Sequence, residues 1–77
     1  MLIRWQTNEG QVVYLAASHV TAAYVTQREE GEEYIVCTEL GIENVYLLGS
    51  YQEKDKAIGV LEVFTKEVNK ALRLIYT

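Results

Sequence analysis

The chain has 77 residues, of which 49% are hydrophobic, and a formal net charge of −4. A domain this small buries only about 60% of the surface that its unfolded chain exposes, so a further source of stability is expected. Cys37 is the single cysteine and His19 the single histidine, which excludes a disulfide or a Cys/His zinc site within one chain. Oligomerisation is the remaining common aid for small domains. The sequence therefore predicts a self-associating protein without a cofactor.

The first half of the chain predicts β-structure. Five segments rich in β-branched and aromatic residues are separated by short turns: 2–7, 11–16, 20–28, 33–39 and 45–49. The first two flank "NEG" (8–10), a turn-forming cluster, and so predict a hairpin. Strands with such short connections pair with their neighbours in the chain. We therefore expect a five-stranded antiparallel meander over residues 1–49.

The second half predicts one long helix. From Glu53 to Ile75 apolar residues recur at steps of four and three, at Ala57, Leu61, Phe64, Val68, Ala71 and Ile75. This spacing places them on one helical face. About 22 residues make a rod of roughly 33 Å, long enough to cross a sheet. The predicted fold is a single α+β domain whose C-terminal helix, within 50–77, packs on one face of the meander.

The stretch "LLGSYQEKDKA" (47–57) marks the change from strand to helix. Ser50 and Glu53 fit the S-x-x-E capping box, in which each side chain satisfies a free amide of the first helical turn. The alternative is a phosphate site at the helix N-terminus, which requires several glycines and an accessible lysine. Asp55 and Glu53 would oppose a phosphate there. The sequence therefore predicts a helix cap at Ser50 rather than an anion site.

Two chemically distinctive side chains give no catalytic pattern. His19 has no second histidine or cysteine to complete a nucleophilic triad in the local sequence, so we expect it in a loop or at a strand edge. Cys37 lies inside a predicted strand, where cysteine is most often a small buried hydrophobe.

The acidic run "REEGEE" (28–33) predicts a soluble hairpin tip, with a nucleic-acid-mimicking patch or a divalent-ion site as alternatives. We predict no catalytic residue and no metal site.

Several predicted strands contain a tyrosine and have apolar residues at both odd and even positions. Both faces of these strands are therefore apolar. One helix covers one face, and the open face of an antiparallel sheet is normally polar. A second apolar face therefore predicts an interface, where tyrosine is enriched. The alternative is a sheet that curls into a partial barrel and buries these residues. The residues expected to bind are Trp5, Tyr24, Arg28, Tyr34 and Tyr46.

Arg28 also supports a different class of function. It is the one cation near these aromatic residues, and arginine stacks on rings and pairs with carboxylates and phosphates. A small-ligand (nucleotide-like) binder or enzyme could therefore use a pocket between subunits, lined by Trp5, Tyr24, Arg28 and Tyr34.

Charge limits the choice of partner. Residues 1–50 contain seven acids and two bases, whereas binding to a phosphate backbone needs clustered cations. We therefore expect no nucleic acid partner.

No apolar run approaches about 18 residues, and the first residues lack the features of a signal peptide. These observations predict a cytoplasmic protein that does not bind membranes.

The segments "ASHVTAAYV" (17–25) and "VYLLGSYQEKDKAIGVLEVFTKEV" (45–68), in this order, resemble small uncharacterised proteins of Gram-positive bacteria and their phages. In those proteins a β-meander ends in an "LG-x-Y…A-x-x-V-L" segment that leads into a C-terminal helix. The resemblance implies this fold and a phage or mobile-element origin, and it carries over no functional residues.

Taken with the residues, the resemblance favours a non-enzymatic binding or interaction protein that self-associates. The alternative within this class is a phage-type inhibitor of a host defence or regulatory protein. Such an inhibitor would present its acidic sheet edge to a basic host surface.

Overall fold

The computed structural model describes residues 2–28 and 30–76, with side chains described as far as residue 73. The elements in chain order are β1 (Leu2–Gln6), β2 (Val12–Ala16), a 3₁₀ turn (Ala17–His19), β3 (Val20–Gln27), β4 (Tyr34–Leu40), β5 (Asn44–Tyr51) and α1 (Lys54–Tyr76). The predicted α+β class and the antiparallel pairing are confirmed. No stretch of α1, the one α-helix in this part of the chain, is long and apolar enough to cross a membrane.

The strands form two sheets, so the predicted five-stranded meander is confirmed only in part: neighbours in the chain pair within each sheet, but β2 and β3 do not pair. β1 pairs with β2 in a hairpin, and β3, β4 and β5 form a three-stranded sheet that does not close into a barrel. The 3₁₀ turn between β2 and β3 separates the two sheets. Ala17 in this turn is 1% exposed and belongs to the core. β2 therefore ends at this turn and does not pair with β3.

One core joins the hairpin, the three-stranded sheet and the helix. The helix contributes four of the positions predicted to face the sheet, and these are buried: Ala57, Phe64, Val68 and Ala71. Ile3 and Leu15 enter from the hairpin, and Val36 and Leu48 from the sheet. Leu61 is partly buried against this core, while the side chain of Ile75 lies outside the described residues.

The hairpin packs beside β5 through two polar side chains. Trp5 Nε1 donates to the Leu48 carbonyl at 3.0 Å, and the Trp5 ring meets the Phe64 ring edge-on at 5.3 Å between centroids. Asn8 Nδ2 donates to the Ser50 carbonyl, and Asn8 Oδ1 accepts from the Ser50 N–H at 3.1 Å. The Asn8 amide therefore pairs with β5 much as a neighbouring strand would.

The predicted helix cap at Ser50 is not formed. Ser50 lies inside β5, and its Oγ donates to Glu33 Oε2 at 3.0 Å. The first helical hydrogen bond instead runs from Ala57 N to the carbonyl of Glu53 at 3.2 Å. The strand continues past Gly49 because Tyr51 packs against the core, and the ring of Tyr51 lies over that glycine. The β-structure therefore ends at Tyr51, two residues beyond the predicted boundary.

Candidate protein-binding face

The register of the three-stranded sheet assigns each side chain to one of two faces. Val36 is fully buried in the core that contains the helix, so the next residue, Cys37, points to the opposite side. Directly opposed residues of neighbouring strands share a face. We define the open face as three cross-strand rows on the side of Cys37: Ala22, Glu39 and Val45; Tyr24, Cys37 and Leu47; Thr26, Ile35 and Ser50.

The open face is apolar at its centre and lies outside the core. None of its residues belongs to the cluster that joins hairpin, sheet and helix. Cys37 is nevertheless only 7% exposed, because it is a small residue directly between Tyr24 and Leu47. Val45 at the edge is 55% exposed. The middle row is thus a continuous apolar strip that no described helix or second sheet covers.

Glu39 is the one charged residue of the open face, and it interacts with the middle row. The pKa of Tyr24 is raised by partial burial first and by the charge of Glu39 second. Burial also raises the pKa of the Cys37 thiol, with a smaller contribution from Glu39. Because the thiolate is the reactive form, Cys37 is a weak nucleophile at neutral pH.

The tip of the β3–β4 hairpin, beside the open face, carries most of the nearby charge. Arg28 N donates to the Glu33 carbonyl at 3.2 Å, and Arg28 Nη1 lies 3.9 Å from Glu33 Oε2. A depression of about 580 Å³ at this tip is lined by Arg28, Glu30, Gly31, Glu32, Glu33 and Gln52. Glu29 of the predicted acidic run lies outside the described residues. Carboxylates therefore outnumber the single cation at this tip.

The structure distributes the predicted binding residues over several surfaces. Tyr24 lies on the open face and Arg28 at the hairpin tip, whereas Trp5 and Tyr34 pack against the core. Tyr46, opposite Thr38, is 41% exposed. Among the described pockets, the one at the hairpin tip contains only Arg28 of these five side chains.

Trp5 takes part in a separate apolar groove beside the helix. This groove has a volume of about 350 Å³ and is lined by Trp5, Tyr51, Lys56, Gly59, Val60 and Val63. It contains none of the other four predicted binding residues.

Ile35, Cys37, Val45 and Leu47 were not predicted as binding residues. The sequence feature that could have identified them is that odd and even positions of β4 and β5 are both largely apolar. The register shift between the Val36 and Cys37 pairs leaves Leu48 of β5 without a directly opposed residue in β4. β5 therefore departs from the period of two, and the sequence does not reveal which of its apolar positions face the helix.

His19 lies at the end of the 3₁₀ turn, and its carbonyl accepts from Gly41 N at 3.2 Å. Its side chain is exposed. Across residues 2–28 and 30–73, no three His, Cys, Asp or Glu side chains are grouped closely enough to hold a metal ion.

The chain matches no protein-family model, no curated protein and no solved structure at a significant level.

Proposed function

We propose that this chain is a non-enzymatic interaction protein of the cytoplasm that self-associates and binds a protein partner through the open face. The observation that supports this proposal is the apolar row of Tyr24, Cys37 and Leu47, which lies outside the core and under no described element. An uncovered apolar sheet face is typical of an interaction site. Tyrosine suits such a site because its ring adds apolar area and its hydroxyl tolerates water.

The charges around the open face indicate the character of the partner. Glu39 lies within the face, and Glu30, Glu32 and Glu33 lie at the adjoining hairpin tip. A complementary surface has an apolar centre and a basic rim. The same carboxylates would repel the phosphates of a nucleic acid, which bind through clustered Lys and Arg.

The chemistry of the open face favours binding over catalysis. Its titratable side chains are Tyr24, Cys37 and Glu39. The raised pKa values of the tyrosine and the thiol keep both protonated at neutral pH. A nucleophile needs an adjacent base or a lowered pKa, and the two candidate nucleophiles have the opposite shift.

A second candidate function is inhibition of a host protein, as in small phage proteins. The acidic tip around Glu30 and Glu32 favours it, because a basic target would be attracted electrostatically. In this case the reversal Glu30→Lys/Glu32→Lys should weaken binding, and salt should weaken it steeply. Binding by the open face should change little with salt.

The open face is tested with Leu47→Lys, which places a charge in the middle row. The matched control is Val12→Lys, since Val12 is an exposed strand residue of the hairpin at 41% exposure. A partner captured by the parent protein is identified by mass spectrometry and purified, and its affinity for all three proteins is measured by calorimetry.

We expect Leu47→Lys to lose at least about tenfold in affinity, equivalent to about 1.4 kcal/mol, and Val12→Lys to bind like the parent. Trp5 fluorescence checks that each variant is folded. Equal binding by folded Leu47→Lys would contradict the assignment of the open face.

A further inference from the structure

We infer that two copies of this chain pair through the outer edges of their β3 strands, antiparallel and with the twofold axis at Val25. The product is a six-stranded sheet with the open faces of both copies on one side. This inference rests on the self-association in the proposed function and assigns the residues that carry it.

The β3 edge offers free backbone groups at defined residues. Arg28 N donates to the Glu33 carbonyl, so the ladder turns the backbone groups of Arg28 toward β4. In an antiparallel ladder this orientation alternates along the strand, which turns Thr26, Tyr24 and Ala22 toward β4 as well. The bond from Thr38 Oγ1 to the Ala22 carbonyl agrees with this alternation. The N–H and C=O groups of Ala23, Val25 and Gln27 therefore point away from the sheet, where no described strand pairs with them.

The two edges of the three-stranded sheet differ in whether other groups occupy their outward-facing backbone N–H and C=O groups. At β5, hairpin side chains bond the Leu48 carbonyl and both backbone groups of Ser50. At β3, the segment "VTAAYVTQ" (20–27) contains no proline, lysine or other charged residue. These are the devices with which proteins commonly block an exposed edge. After the bulge between Val20 and Ala22, β3 is thus an unblocked edge as far as Gln27.

The regular part of β3 determines the register of the pairing. A bulge between Val20 and Ala22 excludes the start of the strand. An axis at Val25 opposes Val25 to its copy and Ala23 to Gln27 of the second copy, so every outward-facing residue has a partner. Each such pair exchanges two N–H···O=C bonds. On the open face, Tyr24 then lies opposite Thr26 of the second copy.

Charge complementarity supports the same register. Arg28 falls opposite Ala22 of the second copy, and the next strand of that copy carries Glu39 in the row of Ala22. The small alanine leaves room for the Arg28 side chain, which lies 3.9 Å from Glu33 Oε2 in its own chain, to extend toward this second carboxylate. The pairing therefore forms two symmetric Arg28–Glu39 contacts and places no like charges directly opposite each other.

The space beside the β3 edge fits this arrangement. A groove of about 270 Å³ is lined by Val20, Thr21, Ala22, Ala23, Phe64, Thr65 and Val68. Gln27 of the second copy, opposite Ala23, lies next to this groove. Pairing through β3 also leaves the middle row of the open face uncovered in both copies, so a dimer offers a wider surface to a protein partner.

The test exploits the reciprocal Arg28–Glu39 contacts. Arg28→Glu and Glu39→Arg each create like-charge contacts in a homodimer, whereas a mixture of the two variants pairs opposite charges at both contacts. Native mass spectrometry and sedimentation velocity at micromolar concentration measure the subunit number. The control Arg4→Glu makes the same charge change on the hairpin, where Arg4 is exposed.

We expect the parent and Arg4→Glu to sediment as dimers of the 8.8 kDa chain. Each interface variant alone should dissociate at least tenfold more readily, and their equimolar mixture should form heterodimers. Ala23→Pro is a second variant that should prevent the pairing of the two β3 strands. It removes an N–H that points away from β4, so the pairing of β3 with β4 keeps its hydrogen bonds. Circular dichroism and Trp5 fluorescence verify its fold.

The outcomes separate this inference from the proposed function. A parent protein that stays monomeric up to about a hundred micromolar overturns the β3 pairing and self-association together. Dimers that persist in both charge variants and in folded Ala23→Pro overturn only the β3 pairing. Loss of dimers in both charge variants without recovery in the mixture overturns the register. Partner binding by the open face is read independently with Leu47→Lys.

Discussion

At the scale of single residues, Ser50 joins strands instead of capping the helix. Its Oγ donates to Glu33 Oε2 across the open face, and its backbone pairs with the Asn8 amide. Three separate segments of the chain therefore meet at one serine. The side chain of Glu53, the other half of the predicted box, lies 3.9 Å from Lys56 Nζ instead.

The first prediction concerns this serine. Ser50→Ala should lower the free energy of unfolding by about 1 kcal/mol, the usual net value of a hydrogen bond. In a double-mutant cycle, Ser50→Ala and Glu33→Ala should couple by about 0.5–1.5 kcal/mol, because they remove the same bond. Ser50→Ala and Glu53→Ala should be additive.

Urea unfolding followed by Trp5 fluorescence supplies the free energies. Coupling between Ser50 and Glu53, with none between Ser50 and Glu33, would restore the helix-cap interpretation.

At the scale of elements, two glycines in similar sequence settings have opposite roles. Gly49 lies inside β5, where an added Cβ would be 2.7 Å from Tyr51 Cε2. Gly59 lies inside α1, where an added Cβ would meet nothing within 4 Å. The glycine in the strand makes room for the ring that packs against the core, and the glycine in the helix weakens it through backbone entropy.

The second prediction follows from this contrast. Gly49→Ala should destabilise the protein by about 1–3 kcal/mol, because the Tyr51 ring must move. Gly59→Ala should stabilise it by about 0.5–1 kcal/mol. The same chemical change thus has opposite signs in two elements, and thermal unfolding of both variants measures it. An increase in melting temperature for Gly49→Ala would mean that the ring does not lie over this glycine.

At the scale of the whole molecule, two raised pKa values make the free energy of unfolding depend on pH on the alkaline side. The pKa values of the Tyr24 hydroxyl and of the Cys37 thiol are both raised, chiefly by burial. The ordinary values are 10.0 for tyrosine and 9.0 for the thiol. As pH rises, the unfolded state loses these protons before the folded state does, which favours unfolding.

The third prediction is the resulting dependence of the free energy of unfolding on pH. The contribution of both groups is fully present below about pH 9, the unfolded value of the thiol, and is lost as pH rises through the raised pKa values of the folded protein. Tyr24→Phe should flatten the part of this decline above about pH 10. The control is Tyr14→Phe, on the exposed side of the hairpin at 63% exposure. Urea unfolding at a series of pH values tests it, and an equal decline in both variants would refute the role of Tyr24.

Much of the fold could be predicted because its signals are local. Periods of two and 3.6 placed the strands and the helix within a few residues, and the helical face that contains Phe64 and Val68 is buried as predicted. The position of Ser50 could not be predicted in this way. A serine three residues before a glutamate suits a helix cap equally well whether or not a distant Asn8 and Glu33 are present to engage it.

The sequence alone determined that this chain combines antiparallel strands with one long helix, and that its strands have more apolar positions than one helix can cover. Only the tertiary structure decided that Ala17 is buried and ends the first sheet, and that Val36 rather than Cys37 faces the helix. The physical reason is that the periodic spacing of apolar residues, which predicts a strand or a helix, is a local property of the sequence. The choice between two apolar faces depends on how the hairpin, the bulged β5 and the helix fill one core together.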